Sequence, residues 1–215
     1  MRIKALFHIL ALLSLAVCIN AAHAQASYDR AESVKVNGVE LSGAVSTEVL
    51  PANFWEGKLE SINFYGCTAN YNIRLDYKDK KATLEIFSED NPKIDLEKIF
   101  SQQEYDHKKH PVKARIWLDW FDMKEFSDLL EIDGRIIKPD ITFKQFKQMF
   151  PASAKSGEDY SDAERAVEGG KIYFVMLGED TESQDAESRW YDQSVAFVFK
   201  NEILIGIALR QGIAC

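Results

Sequence analysis

The chain has 215 residues, of which 46% are hydrophobic and 28% charged, a composition typical of a globular protein that excludes a disordered one. It carries 34 acidic and 26 basic residues, a formal net charge of −8 at pH 7. Because such a surface repels phosphate groups, nucleic acid is excluded as an expected partner.

The first 24 residues have the pattern of a signal peptide. Residues 1–4 are basic, residues 5–19 are apolar but too short to span a bilayer comfortably, and residues 22–24 form a small-x-small cleavage site. We expect cleavage before Gln25, which removes two cations and no acid, so that the net charge becomes −10. The sequence therefore predicts a periplasmic or secreted protein with no membrane insertion after cleavage.

Cleavage also removes Cys18 and leaves Cys67 and Cys215, an even pair of cysteines in an oxidising compartment. We expect these two residues to form a disulfide bond with each other. The alternative is two separate thiols.

Residues 25–110 form the predicted first half of the mature chain, built from antiparallel hairpins and one helix. The Asn37-Gly38 pair between alternating valines predicts a type I′ hairpin. Asp95 is typical of a helix N-cap. Pro111 then marks the boundary with the second half.

Residues 111–215 repeat the same kinds of element. Asp133-Gly134 predicts a second type I′ hairpin. Residues 142–145 have the sequence of a capping box at the start of a short helix, and residues 161–164 have another.

The chain closes with two apolar arms, residues 194–200 and 203–210, that alternate with a period of two and predict a hairpin. Either a two-residue or a three-residue loop can join them. A three-residue loop at 200–202 is favoured, because it aligns the large side chains of the first arm with the isoleucines of the second.

These elements predict an α+β fold of antiparallel hairpins and a meander sheet with a few short helices. The hairpin turn at 37–38 recurs at 133–134, 96 positions later, so the halves read as two tandem helix-plus-sheet units, packed separately or as one domain. The alternative is that a turn-rich chain reuses the same parts. The helix at 142–151 and the sheet after it resemble the helix-plus-sheet units of β-lactamase-inhibitor-like periplasmic proteins, a resemblance that implies architecture alone.

The sequence contains no motif that predicts a cofactor or a metal site. His107 and His110 lie beside two lysines and are better explained as part of a solvated helix end than as catalytic groups or metal ligands. The enzymatic candidates are Asp119 and Asp122 near Trp117, because a carboxylate beside tryptophan can act as a general acid. The alternative, which we favour, is a strand whose polar face carries these aspartates.

An acidic segment offers the best binding surface, because clustered carboxylates can steer and hold a basic protein. We therefore expect a non-enzymatic domain that binds another protein, such as an inhibitor or immunity protein for a basic envelope-acting enzyme. The alternatives are a carboxylate-based hydrolase of envelope polysaccharide and an envelope assembly or lipid-handling accessory. The residues predicted to contact the partner are Glu179, Asp180, Glu182, Asp185 and Glu187.

The disulfide bond is open to a direct test. We expect no free thiol in the denatured exported protein and two after reduction. We expect reduction to lower the free energy of unfolding by roughly 4 kcal/mol, because a long loop is no longer closed in the unfolded chain. Thiol titration and urea unfolding with and without reductant measure both effects, and two reactive thiols before reduction would contradict the pairing.

Overall fold

The computed structural model describes residues 28–65, 70–101, 105–162, 167–178 and 193–211. It is mostly β-sheet, with two sheets and a few short helices, in agreement with a sheet-rich α+β class. Within these ranges no helix combines the length and the apolar composition that a membrane span requires.

The helices are α1 (Leu96–Phe100) and α2 (Phe143–Met149), with 3₁₀ turns at Ala52–Glu56 and Ser153–Lys155. The strands are β1 (Arg30–Ala31), β2 (Val34–Val36), β3 (Val39–Glu40), β4 (Val45–Ser46), β5 (Lys58–Tyr65), β6 (Asn70–Asp76), β7 (Lys80–Phe87), β8 (Lys113–Trp120), β9 (Leu130–Ile132), β10 (Arg135–Ile137), β11 (Glu158–Asp162), β12 (Val167–Leu177), β13 (Ser194–Lys200) and β14 (Ile203–Arg210).

Four short strands form the smaller sheet in the order β10-β9-β2-β3. They belong to the two hairpins that the sequence predicts. Asn37 and Gly38 turn the first hairpin with φ angles of 53° and 80°, and Asp133 and Gly134 turn the second with 46° and 76°. Positive φ at both central residues is the geometry of a type I′ turn, so both predicted turns are confirmed.

The two hairpins pair with each other through β2 and β9, and their contacts repeat about a local two-fold axis. Asn37 donates its backbone N–H to the carbonyl oxygen of Leu129 at 2.8 Å, and its Oδ1 accepts from the Leu129 N–H at 2.8 Å. Asp133 makes the same two bonds with Ser33, each at 3.0 Å. The side chain that turns each hairpin therefore also fastens the other hairpin.

The larger sheet has ten strands and is continuous across both halves of the sequence. Its main path runs β1-β12-β13-β14-β8-β7-β6-β5, with β11 beside β12 and β4 beside β8. All neighbours are antiparallel except β1 and β12. The predicted boundary at 110–111 lies between β7 and β8, and these two strands pair directly in the sheet.

The closing hairpin is confirmed as an element, but its predicted three-residue loop is wrong. Asn201 and Glu202 form a two-residue turn with φ angles of 51° and 65°. The register then shifts at a bulge next to Val198, so that Phe197 faces Ile207. Beyond the bulge Phe197 and Val195 face Ile207 and Leu209, whereas Phe199 faces Leu204, as a two-residue loop requires.

Two of the three predicted helix starts are present. Asp95 caps α1, and Thr142 caps α2 in a reciprocal capping box with Gln145. The helix predicted to begin at Ser161 is wrong, because this residue lies in β11, which pairs with β12. Pairing with a long neighbouring strand has outweighed the local capping signal.

The main core lies on one face of the large sheet. Phe146 of α2 is fully buried there, with its ring 5.0 Å from that of Phe197 and 5.5 Å from that of Tyr173. Val34 and Ile132 of the small sheet are fully buried in the same cluster. A smaller apolar cluster covers β12 and β13 on the opposite face, and β8, β7 and β6 present largely polar side chains there.

A buried polar cluster joins the two sheets at Asp128. Its carboxylate accepts from Nδ2 of Asn37, Nε1 of Trp120 and Nζ of Lys80, each at 2.8 Å. The side chains of Asp128 and Lys80 are only 5% and 12% exposed. Burial by itself raises the pKa of Asp128, but the three hydrogen bonds outweigh burial and hold this pKa below its ordinary value.

Asp128→Asn tests this junction. We expect the substitution to lower the free energy of unfolding at pH 7 by about 3 kcal/mol, because the buried Lys80 loses its nearer carboxylate and keeps only that of Asp79, at 3.7 Å. The pKa of Asp128 is lower in the folded protein than its value of 3.8 in the unfolded chain. Ionised Asp128 therefore stabilises the fold fully above pH 3.8, and this stabilisation is lost as the pH falls through the pKa of the folded state. Urea unfolding across the pH range measures both effects.

The matched control is Asp140→Asn, which removes an exposed carboxylate near the second hairpin. We expect its effect to stay within about 0.5 kcal/mol, as for surface substitutions in general. Equal effects of the two substitutions at pH 7 would show that the junction does not stabilise the fold.

Candidate functional site

The polar face of the large sheet follows from the alternation of side chains along β8. Even-numbered residues from 114 to 120 are buried in the main core, whereas Arg115, Trp117 and Asp119 are partly exposed on the other face. β7 and β6 continue this polar face, whereas Ala208 of β14, opposite Asp119, belongs to the smaller apolar cluster.

An open groove with a volume of about 530 Å³ crosses this polar face. This volume lies within the usual range of ligand-binding clefts. Side chains from β5, β6, β7, β8 and β14 contribute to it, so five strands must be in register to form it. The residues whose polar or aromatic groups line the groove are Glu60, Arg74, Lys81, Thr83, Trp117, Asp119, Phe121 and Arg210.

One row of residues across this face alternates in charge from strand to strand. Asp119 of β8 faces Lys81 of β7, Lys81 faces Asp76 of β6, and Asp76 faces Lys58 of β5. Opposite charges at directly opposed positions stabilise an antiparallel sheet by roughly 0.2–1 kcal/mol for each pair. The row therefore presents a fixed pattern of both charge signs.

Arg210 packs on Trp117 in the groove. The guanidinium carbon of Arg210 lies 5.2 Å from the centre of the Trp117 ring, within the range of a cation–π contact. Nη2 of Arg210 also lies 3.3 Å from Oδ2 of Asp119, and the two paired side chains are only 12% and 15% exposed. The tryptophan is thus partly shielded and has a defined orientation before any ligand binds.

Glu85 lies on the same face, two residues beyond Thr83 along β7, and is the titratable group most altered by its surroundings there. Burial raises its pKa to about 7, although the nearby Trp117 indole N–H and Arg115 act in the opposite direction. The Trp117 indole N–H does not form a well-aligned hydrogen bond with Glu85, so it lowers the pKa of Glu85 as a nearby dipole. Arg115 forms its ion pair with Asp90, at 3.2 Å, and this weakens its influence on Glu85.

The structure does not bring the two candidate catalytic carboxylates together. Asp119 lies in the groove beside Arg210. Asp122 lies in the turn after β8, where its Oδ1 accepts from the Lys124 N–H at 3.0 Å, and it is not one of the groove residues.

The other predicted site residues lie outside the part of the chain that the structure describes. They are the two cysteines of the predicted disulfide bond and the five acidic residues of the predicted binding segment, Cys67, Cys215, Glu179, Asp180, Glu182, Asp185 and Glu187.

The flanks of the acidic segment are described, and they lie beside the groove. The Leu177 N–H at the end of β12 donates to the carbonyl oxygen of Gln193 at 2.8 Å. Ser194, the first residue of β13, pairs with Arg210 of β14. Of the two flanks, Ser194 thus lies next to a residue that lines the groove, and the end of β12 lies one strand farther away.

His107 packs as part of an aromatic cluster. Its ring stacks on Trp55 with the centroids 4.0 Å apart and the planes at 3°. Burial, and then the neighbouring charge of Lys108, lower the pKa of His107. Among the described residues, no group of three or more His, Cys, Asp or Glu side chains is placed to hold a metal ion.

Sequence reasoning finds Trp117 and Asp119 but misses the residues that complete the groove. Arg74, Lys81 and Arg210 come from strands far apart in the chain, and their meeting depends on the order of the strands in the sheet. Arg74, Lys81 and Arg210 each alternate with buried residues, and this pattern predicts that each lies on the polar side of its strand. It does not predict that the three strands present these side chains on the same face as Trp117.

Comparison with known proteins gives no relative: no family model, no curated protein and no solved structure matches this chain.

Glu85→Gln tests the electrostatics of the face. The raised pKa means that the folded protein binds a proton more tightly than the unfolded chain, so ionisation destabilises the fold as the pH rises from 4.5 to about 7. Allowing for screening by solvent, we expect the variant to be more stable than the parent by about 1 kcal/mol at pH 8 and equal to it below pH 4.5.

Urea unfolding of both proteins between pH 4 and 8 measures this difference. Glu60→Gln serves as the control, because it removes an exposed carboxylate from the same groove. It shows the effect of losing an exposed carboxylate charge from this face. A difference between Glu85→Gln and the parent that does not change with pH would rule out a raised pKa at Glu85.

Proposed function

We propose that this chain is an exported, non-enzymatic domain that binds another protein, as an inhibitor or immunity protein for a basic envelope-acting enzyme does. The supporting observation is the groove on the open face of the large sheet, in which Trp117 lies among charged residues from five strands. The binding mechanism would be occlusion, with this face covering the partner's active-site groove.

The geometry of the groove suits a protein ligand. Arg210 already orients the Trp117 ring. A partner that contacts Trp117 therefore loses less affinity to side-chain ordering than it would with a mobile ring. Tryptophan and arginine at the centre of a surface are the residues that most often dominate the energy of protein interfaces. The alternating charges around them can match a partner of complementary pattern and exclude others.

Long-range charge favours a basic partner. With a net charge of −10 after the predicted cleavage, the mature chain would attract a cationic protein from solution. The five carboxylates of the acidic segment would add to this attraction, and Ser194, which follows the segment, pairs with Arg210 of the groove. Steering of this kind raises the association rate more than it raises the affinity.

The two alternative functions have less support. A hydrolase built on Asp119 and Asp122 would need the two carboxylates to converge on a substrate, and only Asp119 lines the groove. A lipid-handling protein would need an apolar cavity, and the cavity that the described residues form between the small sheet and Leu118 has a volume of about 20 Å³, enough for one water molecule.

The proposed architecture is a pair of tandem units of common origin, similar in plan to β-lactamase-inhibitor-like proteins. The support is the reciprocal bonding of the two hairpins, in which Asn37 holds Leu129 as Asp133 holds Ser33. Asn37 and Asp133, 96 positions apart, make equivalent hydrogen bonds to the opposite hairpin. This is the relation that a duplicated hairpin keeps when its two copies pack together.

Site-specific photo-crosslinking in the native periplasm tests the binding face. With p-benzoylphenylalanine replacing Thr83 in the groove, we expect a crosslink to one protein partner, identified by mass spectrometry. Adding Trp117→Ala should lower the crosslink yield roughly tenfold, as expected for the loss of a central interface residue.

The control places the same photoreactive residue at Lys144, which is exposed on α2 on the opposite side of the sheet. The same partner crosslinked from Lys144 and not from Thr83 would reject the groove as the binding face. Retained thermal stability of the Trp117→Ala protein separates lost binding from lost folding.

A further inference from the structure

Two cations in the groove have no partner within the described chain. Arg74 of β6 and Lys81 of β7 are exposed, and both line the groove. Among the described residues, neither side chain forms an ion pair or a hydrogen bond. The third cation of the described lining, Arg210, differs from them, because it pairs with Asp119 at 3.3 Å and packs on Trp117. Arg74 and Lys81 are therefore the cations that remain available to a ligand.

The strand register places these two cations side by side. Arg74 faces Thr83 across the β6–β7 pair, and Lys81 lies two residues before Thr83 on the same strand. The cations are thus diagonal neighbours on one face of the sheet, with Cα atoms roughly 7–8 Å apart, a separation that long side chains can bridge. One anionic group with two oxygens can therefore contact both.

Thr83 adds a hydroxyl group beside the two cations. Its side chain is partly exposed, lines the groove and, within the ranges that the structure describes, makes no hydrogen bond. Ser61 of β5 faces Arg74 from the other side. Arg74 thus has an uncharged hydroxyl residue opposite it on each neighbouring strand, and its charge is not neutralised by a cross-strand pair.

The carboxylates nearest to Lys81 do not neutralise it. Asp76 and Asp119 oppose Lys81 on the neighbouring strands, yet in the described part of the chain neither forms an ion pair with it. Oδ2 of Asp119 pairs with Arg210. With Glu60, the described lining of the groove has three cations and two carboxylates, a local charge of +1 in a chain whose net charge is −8.

We propose that Arg74, Lys81 and Thr83 form a carboxylate-binding subsite, which takes an aspartate or glutamate side chain of the partner protein. Arginine and lysine form charge-assisted hydrogen bonds with carboxylates, and arginine can do so through two parallel bonds. The inference rests on the proposed function in one respect, that the ligand in the groove is a protein. The chemistry of the subsite does not depend on it.

A carboxylate at this position is compatible with a partner that is basic overall. Attraction at long distance depends on the net charges of the two proteins, whereas contact in the groove depends on charges within about 10 Å, the screening length at 0.1 M salt. A uniformly basic contact surface would place like charges against Arg74 and Lys81, which costs affinity. An acidic side chain on a basic surface satisfies both conditions.

The exposure of the subsite favours a protein side chain over a free acid. Charge pairs that are open to water contribute little, because water and salt screen them. A protein that covers the groove excludes water from the same pair and strengthens it. The subsite therefore holds a free carboxylate weakly and gains affinity when the rest of the partner packs around Trp117.

A nuclear magnetic resonance titration tests the subsite without the partner. The probes are N-acetyl-glutamate amide, which carries one side-chain carboxylate, and its neutral isostere N-acetyl-glutamine amide. At low salt we expect only the glutamate probe to shift the amide signals of Thr83 and its neighbours, with millimolar affinity. Arg74→Gln and Lys81→Gln should each weaken this binding roughly threefold, as for the loss of an exposed charge pair. Lys144→Gln, which alters an exposed lysine of α2, should leave it unchanged.

Crosslinking in the native periplasm tests whether the partner supplies the carboxylate. Phe121, an aromatic residue that lines the groove outside the subsite, is replaced by p-benzoylphenylalanine. We expect Arg74→Gln and Lys81→Gln each to lower the yield of the crosslinked partner roughly tenfold, since a charge pair in a closed interface is stronger than an exposed one. Lys144→Gln is again the control, and unchanged melting temperatures establish that the variants are folded.

The two experiments separate failure of the subsite from failure of the proposed function. No shift from the glutamate probe, equal shifts from both probes, or an equal loss of binding in Lys144→Gln would overturn the subsite. An unchanged crosslink yield in both groove variants would overturn the partner side chain as its ligand and leave the binding face in place. Binding of the glutamate probe without any crosslinked protein would reject the proposed function and, with it, the partner side chain.

Discussion

The arrangement of the two sheets depends on the three hydrogen bonds that the carboxylate of Asp128 accepts. A buried charge costs several kcal/mol unless other groups replace its hydration, and here Asn37, Trp120 and Lys80 together replace it. The three donors come from the first hairpin, β8 and β7, so the bonds form together only when all three segments are in place. Apolar packing tolerates small sliding of one sheet over another, whereas three hydrogen bonds to one carboxylate fix their relative position.

β8 links the Asp128 cluster to the opposite face of the large sheet, because its side chains alternate between the two faces. Trp120 points into the core and bonds Asp128, and Trp117, three residues earlier, points into the groove. Side chains alternate along a strand, so a slip of one residue in the pairing of β8 would exchange the two environments and break both. The junction that excludes such a slip therefore also holds Trp117 and Asp119 in the groove, and the groove depends on the core beneath it.

Local chemistry decides which parts of this structure the sequence can predict. The turns at Asn37-Gly38 and Asp133-Gly134 are correctly predicted because the φ angles they need are available to few other residues. The strand at Ser161 is not, because its pairing with β12 outweighs its capping signal. The groove is predicted in part: Trp117 and Asp119 are close in sequence, but Arg210 reaches them only through the order of strands in the sheet.

Asp128 and Glu85 lie on opposite faces of the large sheet, and their pKa values are displaced in opposite directions. Protonation of Asp128 destabilises the fold below pH 3.8, and ionisation of Glu85 destabilises it between pH 4.5 and about 7. At neutral pH the free protein therefore holds an unfavourable charge beside Trp117. A cation brought next to Glu85 by a partner would lower that pKa, and by linkage the complex would recover the free energy that the free protein loses. The raised pKa of Glu85 thus supports the proposal of a basic partner over an acidic one, even though the residues lining the groove carry both signs of charge.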